Sequence, residues 1–128
     1  MFHDTAGQIR TVTVAGLAPA ESLERAAALG ERLGLSGADL GRRFDRLSEG
    51  NMQKVSLIRA FSRRSPLLLL DEPFRGLDAR AAEGLLGLIE ETARSSAVLV
   101  SSHSPELLRR AAGRVLKLES GRLKGSGP

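Results

Sequence analysis

Hydrophobic residues in the first half of the chain recur at helical spacing. From Ala20 to Leu33 they fall every three or four residues with charged residues between them, which predicts an amphipathic helix. A shorter helix is predicted from Ser36 through Phe44, and a longer one from Glu49 to Arg64. The buried face of the longer helix is expected to carry Val55, Ile58 and Phe61.

The second half alternates between apolar runs and helical patterns. The four leucines of Leu67–Leu70 have no polar residue between them, which predicts a strand buried on both faces in a parallel sheet. Asp78 is expected to cap the next helix, and Ala97–Ser101 is a second short apolar strand. Ser104 and Pro105 form a cap and first-turn pair that opens another helix.

The order of these elements predicts an α/β fold. A helical subdomain comes first, and a mostly parallel sheet with flanking helices follows it. Residues 115–118 and 122–123 lie on either side of a Ser-Gly turn, so we expect them to close the chain as a hairpin. We place the boundary between the two parts after residue 64, which gives segments 1–64 and 65–128.

Composition narrows the classes of protein that this chain can be. It has 128 residues, of which 41% are hydrophobic, and this suits one domain with an aliphatic core. There is no cysteine, which excludes a disulfide scaffold and thiolate chemistry. The longest apolar run has four residues and no secretory signal is visible, so we expect a cytoplasmic location.

The charge balance raises the question of nucleic-acid binding. The net charge is +4 and the pI is about 10.6. Sixteen of the nineteen basic residues are arginines, and they are spread along the chain without interleaved aromatic residues for base stacking. Solvated helix faces explain this pattern better than a nucleic-acid groove does, so no nucleic-acid partner is expected.

Polar residues follow both predicted strands of the parallel sheet. Asp71 and Glu72 come directly after the first strand, and His103 follows the second. In open α/β sheets ligands gather beyond the carboxyl ends of the strands, so we expect these three side chains to converge on one edge. One carboxylate could then bind Mg²⁺ and the other could polarise a water for attack on a phosphoryl group.

An ordered series of motifs gives this chemistry a family resemblance. Leu47–Asn51, with the sequence Leu-Ser-Glu-Gly-Asn, resembles the signature loop of the ATP-binding cassette (ABC) ATPases. Leu67–Asp71 is similar to their Walker B strand, and Glu72 stands at the catalytic-glutamate position. Gly76–Asp78 resembles the D-loop, and His103 stands where the family has its switch histidine. The resemblance implies a partial P-loop NTPase fold.

The resemblance extends towards both ends of the chain. Residues 115–122 are similar to the closing hairpin of such domains. Met1–Asp4, followed by Thr13 and Val14, resembles the Q-loop segment, with His3 in place of the usual glutamine. Segment 1–64 would then hold the Q-loop remnant and the helical signature subdomain. Segment 65–128 would hold the second half of the ATPase core.

The resemblance implies that ATP is bound between two ABC domains packed head to tail. Ser48 and Gly50 would contact the γ-phosphate of a nucleotide held by the other domain, with the helix that follows pointing its positive end at the phosphate. Asn51 would join this contact, although it is shorter than the usual glutamine. Asp78 would bridge to the second domain.

The resemblance also implies roles at the edge of the sheet. Asp71 would bind Mg²⁺, and His3 is assigned to the same metal and to sensing the γ-phosphate. Glu72 would orient and activate the attacking water, and His103 would contact the γ-phosphate. Together these roles imply Mg²⁺-dependent ATP hydrolysis.

The implied function is the coupling of ATP hydrolysis to transport at the inner face of the cell membrane. Its implied partners are membrane-spanning transporter subunits, a second ABC ATPase domain and a segment that bears the Walker A phosphate loop. One alternative is an ABC-type ATPase associated with nucleic acid. Another is a non-catalytic cassette partner that supplies only its signature loop.

The phosphate loop of the family, Gly-x-x-x-x-Gly-Lys-Ser/Thr, does not occur in this sequence, because no lysine follows a glycine. Truncation, a split domain and a degenerate partner of a complete cassette all fit this observation. We favour truncation, because the acids and His103 need a phosphate loop in the same domain. We therefore expect the isolated chain to lack ATPase activity and to expose a sheet edge and apolar surface.

Overall fold

The first half of the chain folds mainly as helices. The computed structural model describes residues 2–3, 9–11, 19–40 and 42–125. Two short strands, β1 (Phe2–His3) and β2 (Ile9–Thr11), pair antiparallel. Three helices follow them: α1 (Pro19–Arg32), α2 (Gly37–Leu40) and α3 (Glu49–Ser62).

Two helix ends differ from the sequence-based prediction. Helix α2 ends at Leu40 rather than Phe44, and a 3-10 turn over Phe44–Arg46 follows it. The sequence has a glycine at position 41, which is a weak helix former. Helix α3 ends at Ser62 rather than Arg64, and Arg63 is already extended. Pro66 disfavours helical backbone at the residue before it, so the chain leaves the helix early.

The second half builds a parallel pair of strands around a helix. Strands β3 (Leu67–Asp71) and β4 (Ala97–Ser101) are in register from Leu67 opposite Ala97 to Asp71 opposite Ser101. Helix α4 (Ala79–Ala93) connects them, and helix α5 (Pro105–Ala111) follows β4. Strands β5 (Leu116–Glu119) and β6 (Arg122–Gly125) form the predicted hairpin. The α/β class is confirmed.

The helix caps predicted from the sequence are present. Asp78 caps α4 by accepting a hydrogen bond from the Ala81 backbone N–H at 2.8 Å. Ser104 caps α5 in the same way, with Leu107 as the donor and proline at the first helical turn. Both caps satisfy N–H groups that a helix start leaves without an intrahelical partner.

Strand β3 is not buried on both faces, and that prediction is wrong. Leu70 is 6% exposed, whereas Leu67 and Leu69 are 50% and 63% exposed. Leu99, opposite Leu69 on β4, is 62% exposed. Helix α4 covers one face of the pair, and no described element covers the other. The expectation of exposed apolar surface therefore holds for this face of the sheet.

One apolar cluster lies between the helices and the covered face of the sheet. Almost completely buried in it are Leu33, just after α1, Ile58 of α3, and Leu85 and Ile89 of α4. The predicted face of α3, with Val55, Ile58 and Phe61, is buried as expected. No helix in the described part of the chain combines the length and apolarity that a membrane crossing requires.

A buried lysine connects α3 to the start of α4. The Lys54 side chain is 7% exposed, and its Nζ lies 3.0 Å from Asp78 Oδ2 and 3.5 Å from the Gly34 carbonyl oxygen. The Ala81 N–H and the Lys54 ammonium lower the pKa of the Asp78 carboxyl below its ordinary value. A single carboxylate thus caps α4 and pairs with the buried cation of α3.

We predict that two glycines of α4 respond oppositely to alanine. A Cβ at Gly84 would lie 2.1 Å from the Arg32 backbone oxygen, so Gly84→Ala forces α1 and α4 apart and costs about 1–3 kcal/mol. A Cβ at Gly87 would meet only the end of the Arg32 side chain, at 3.1 Å, so Gly87→Ala is neutral or stabilising. Urea unfolding of both variants measures this, and equal midpoints would contradict the packing described.

We predict that Asp78→Asn lowers stability at neutral pH and does so less at acidic pH. Asparagine keeps the helix cap but cannot neutralise Lys54. Because folding lowers the pKa of Asp78, its stabilisation is present above the ordinary aspartate pKa near 3.8 and is lost as the pH falls through the folded value. Urea midpoints measured from pH 6 downward test this.

Asp78→Ala is the companion variant, because it removes the cap as well as the charge. It should be less stable than Asp78→Asn at every pH. Equal stability of the unmodified chain and Asp78→Asn at pH 6 would show that the pair with Lys54 contributes nothing.

Candidate functional site

Asp71 and Glu72 lie where β3 ends, beside the end of β4. Ser101 Oγ donates a hydrogen bond of 2.5 Å to Asp71 Oδ1, which fixes the orientation of that carboxylate. The Glu72 backbone N–H donates to the Ser101 carbonyl oxygen and to Ser101 Oγ, at 3.1 Å each. The predicted convergence of the two strand ends is present in the structure.

The backbone of Glu72 is held in an unusual conformation. Its φ is +44°, in the left-handed region that a residue with a side chain rarely adopts. Hydrogen bonds hold both of its backbone polar groups. The N–H donates to Ser101, and the carbonyl oxygen accepts from Arg75 N at 3.1 Å and from Gln53 Nε2 at 3.4 Å. Strain of this kind costs on the order of 1 kcal/mol and persists only where the surroundings enforce it.

Glu72 and His103 face each other at this edge. His103 Nε2 lies 3.4 Å from Glu72 Oε1. The imidazole is 97% exposed and the Glu72 side chain is 31% exposed, so both groups can reach a ligand from solvent. The sequence predicted this meeting from strand order alone.

The oxygen donors at this edge suit a hard cation that takes its remaining ligands from phosphates and water. Asp71 is exposed, and one of its carboxylate oxygens is engaged with Ser101. The described residues contain no group of three or more His, Cys, Asp or Glu side chains that could hold a metal ion. Mg²⁺ commonly binds through one or two carboxylates plus phosphates and water, so Asp71 fits this mode. The side chain of His3 lies outside the described part of the structure, and its metal role stays a prediction.

The turn before α3 presents a second polar feature. Ser48 caps the helix, with its Oγ accepting from Asn51 N at 3.2 Å, which leaves the hydroxyl proton able to donate. Ser48 and Glu49 are exposed, Gly50 and Asn51 are half-buried, and the buried Leu47 side chain anchors the turn. A ligand can therefore approach the turn from solvent.

Gly50 also has a packing requirement inside this chain. A Cβ at Gly50 would lie 2.6 Å from the Gly76 carbonyl oxygen, a contact that no ordinary side chain permits. Gly76 has a φ of +71°, a conformation that favours glycine, so this turn needs a glycine at position 76 as well. The start of α3 thus packs directly against the loop that follows Glu72.

Gln53 also belongs to this region, although it is not among the site residues predicted from the sequence. Its Nε2 donates to the Pro73 carbonyl oxygen at 3.1 Å as well as to that of Glu72. The side chain joins α3 to the turn that carries the candidate base. Its place one helical turn beyond Gly50 was the available signal, because both residues then lie on the same side of α3.

The candidate site residues form two groups that this packing links. Asp71, Glu72 and His103 meet at the sheet edge, and Ser48, Gly50 and Asn51 lie at the start of α3. Asp78 belongs to neither group, because its carboxylate is engaged with Ala81 and Lys54.

Sequence comparisons match most of the chain. A family model described as "AAA domain, putative AbiEii toxin, Type IV TA system" matches residues 18–109. The hemin import ATP-binding protein HmuV of Streptomyces coelicolor is 46% identical over 69% of this chain and 32% of its own length. The lipoprotein-releasing system ATP-binding protein LolD of Pseudomonas syringae pv. tomato is 41% identical over 80% of this chain and 45% of its own length.

Comparison with solved structures points to the same family as the sequence comparisons. A solved ATP-binding subunit of an ABC transporter superposes with a TM-score of 0.76 and 34% identity, over 88% of this chain and 47% of that one. The chain therefore spans less than half the length of these relatives. The resemblance drawn from the motifs is confirmed: this chain belongs to the ATP-binding cassette ATPase family.

Proposed function

We propose that this chain belongs to the ATP-binding subunit of an ABC transporter and supplies its Mg²⁺-binding and water-activating edge together with its signature loop. The observation that carries the proposal is the meeting of Asp71, Glu72 and His103 at the ends of two parallel strands. Support comes from HmuV and LolD, whose names describe hemin import and lipoprotein release.

Asp71 is the proposed metal ligand. Ser101 holds one carboxylate oxygen, so the carboxylate keeps a fixed orientation at the open edge. Mg²⁺, when bound, would neutralise charge on the phosphates of ATP. His3 is proposed to reach the same region from the amino-terminal segment.

Glu72 is the proposed general base. The left-handed turn fixes its backbone, and its carboxylate faces an open edge where it can orient a water and accept its proton. His103, 3.4 Å away and almost fully exposed, can donate a hydrogen bond to a phosphoryl oxygen beside it. We propose that the two side chains act on the same phosphoryl group from neighbouring strands.

Ser48, Gly50 and Asn51 are proposed to contact a nucleotide held by a second ABC domain, packed head to tail. The Ser48 hydroxyl can donate to the γ-phosphate, and the amino-terminal end of the 14-residue helix α3 favours negative charge. Asp78, whose side chain is 61% exposed, is proposed to contact that domain as well.

We propose that a Walker A-bearing segment supplies the phosphate loop beside Asp71 and Glu72. We also propose that segments 1–64 and 65–128 correspond to the helical and core subdomains. We further propose that the assembly lies at the cytoplasmic face of the membrane, bound to membrane-spanning subunits.

We predict that the chain alone hydrolyses ATP negligibly and that it restores activity to a damaged partner. The partner is a complete cassette whose own signature serine has been replaced by alanine. Adding the 128-residue chain should raise Mg²⁺-dependent phosphate release at least about tenfold, because Ser48 supplies the missing hydroxyl donor.

Ser48→Ala should abolish this stimulation. Ser36→Ala is the matched control, because Ser36 Oγ accepts from Asp39 N at 3.1 Å in another exposed turn. Equal stimulation by the two variants would contradict the proposed role of the signature loop. ATP turnover by the chain alone that survives Glu72→Gln would contradict the proposed base.

A further inference from the structure

A cavity of about 710 Å³ opens at the far end of the parallel strands from Asp71 and Glu72. It is lined by Pro66 and Leu68 where β3 begins, and by Ser95 and Ser96 just before β4. Five residues of strand separate this end from the other, which is roughly 13 Å. The cavity is therefore distinct from the candidate nucleotide site.

The cavity has an apolar floor and a basic rim. Leu29, Phe61 and Leu88 form the floor and are each less than 9% exposed. Arg25, Arg63 and Arg64 lie at the rim. Arginine forks suit oxyanions, because their N–H groups match phosphate and carboxylate oxygens in pairs.

Most of the donors at this rim have no acceptor among the described residues. Arg25 Nη2 donates to the Phe61 carbonyl oxygen at 3.3 Å, but its Nε is buried without a partner. Arg63 and Arg64 are exposed and form no ion pair in the described part of the chain. The Arg25 Nε is closed to solvent, so the exposed forks of Arg63 and Arg64 are the donors that an anion in the cavity can reach, with Arg25 adding its positive charge.

The acid and the helix ends in the wall do not cancel this charge. Glu91 lines the cavity, but Arg32 binds both of its carboxylate oxygens, at 2.7 and 2.8 Å, and lowers its pKa. Helices α3 and α4 both end nearby, and each carboxyl terminus carries a partial charge of about −0.5. Three guanidiniums without an ion pair in the described part of the chain exceed these contributions, so the cavity stays net positive.

We propose that this cavity binds a phosphate group, held by Arg25, Arg63 and Arg64. Three guanidiniums favour a multiply charged group, and a phosphate monoester carries about −1.5 to −2 at neutral pH. The phosphate could belong to a small soluble molecule or to a lipid headgroup at a membrane surface. The experiment separates these two sources.

To test this, the 128-residue chain is titrated with inorganic pyrophosphate by calorimetry and ¹⁵N NMR, and separately with vesicles that contain phosphatidic acid, whose headgroup is a phosphate monoester, by flotation. The variant is Arg63→Gln with Arg64→Gln. The matched control is Arg109→Gln with Arg122→Gln, which removes the same charge from exposed positions outside the cavity. All four positions are exposed, so both variants should fold.

The proposal expects the cavity variant to weaken binding of one probe at least about tenfold, while the control changes it less than about twofold. Shift changes should concentrate at residues 61–68 and 92–96. Selective loss of pyrophosphate binding identifies a soluble ligand, and selective loss of vesicle binding identifies a lipid headgroup. Equal losses in the two variants, no binding of either probe, or shifts confined to residues 48–51 would overturn the proposal.

Discussion

The packing of the start of α3 against the loop after Glu72 is the constraint on which the rest of the site depends. Gly50 lies against the Gly76 carbonyl with no room for a side chain, and Gln53 donates to two carbonyls of the Glu72 turn. Lys54, whose side chain is buried, adds an ion pair with the exposed carboxylate of Asp78. These contacts hold the strained Glu72 backbone in place and fix its distance from the signature turn.

The same contacts connect two surfaces that serve different purposes in the proposed assembly. The loop at Leu47–Asn51 is proposed to face a nucleotide held by another domain, whereas Glu72 is proposed to act on a nucleotide bound beside Asp71. No described element packs on the face of β3 and β4 that exposes Leu67, Leu69 and Leu99. The chain therefore joins the proposed catalytic edge to an apolar face that is not covered within its described residues.

Sequence pattern was sufficient wherever local chemistry decides the structure. The caps at Asp78 and Ser104 follow from side-chain oxygens at helix starts, and the meeting of Glu72 with His103 follows from the parallel order of their strands. Gln53 and the Lys54–Asp78 pair were not predicted, and Leu67 was wrongly predicted to be buried. Each depends on which segments pack together across some twenty or more residues, and periodicity along one segment carries no such information.

The central claim is that Asp71, at the ends of the parallel strands, binds the metal of a bound nucleotide. Paramagnetic broadening by Mn²⁺ and ATP tests it most directly, with a separate cassette segment supplying the phosphate loop. The account predicts broadened amide signals around Asp71, Glu72 and His103, lost in Asp71→Asn and kept in the control Asp39→Asn. Broadening elsewhere in the chain, or broadening that Asp71→Asn leaves unchanged, would contradict it.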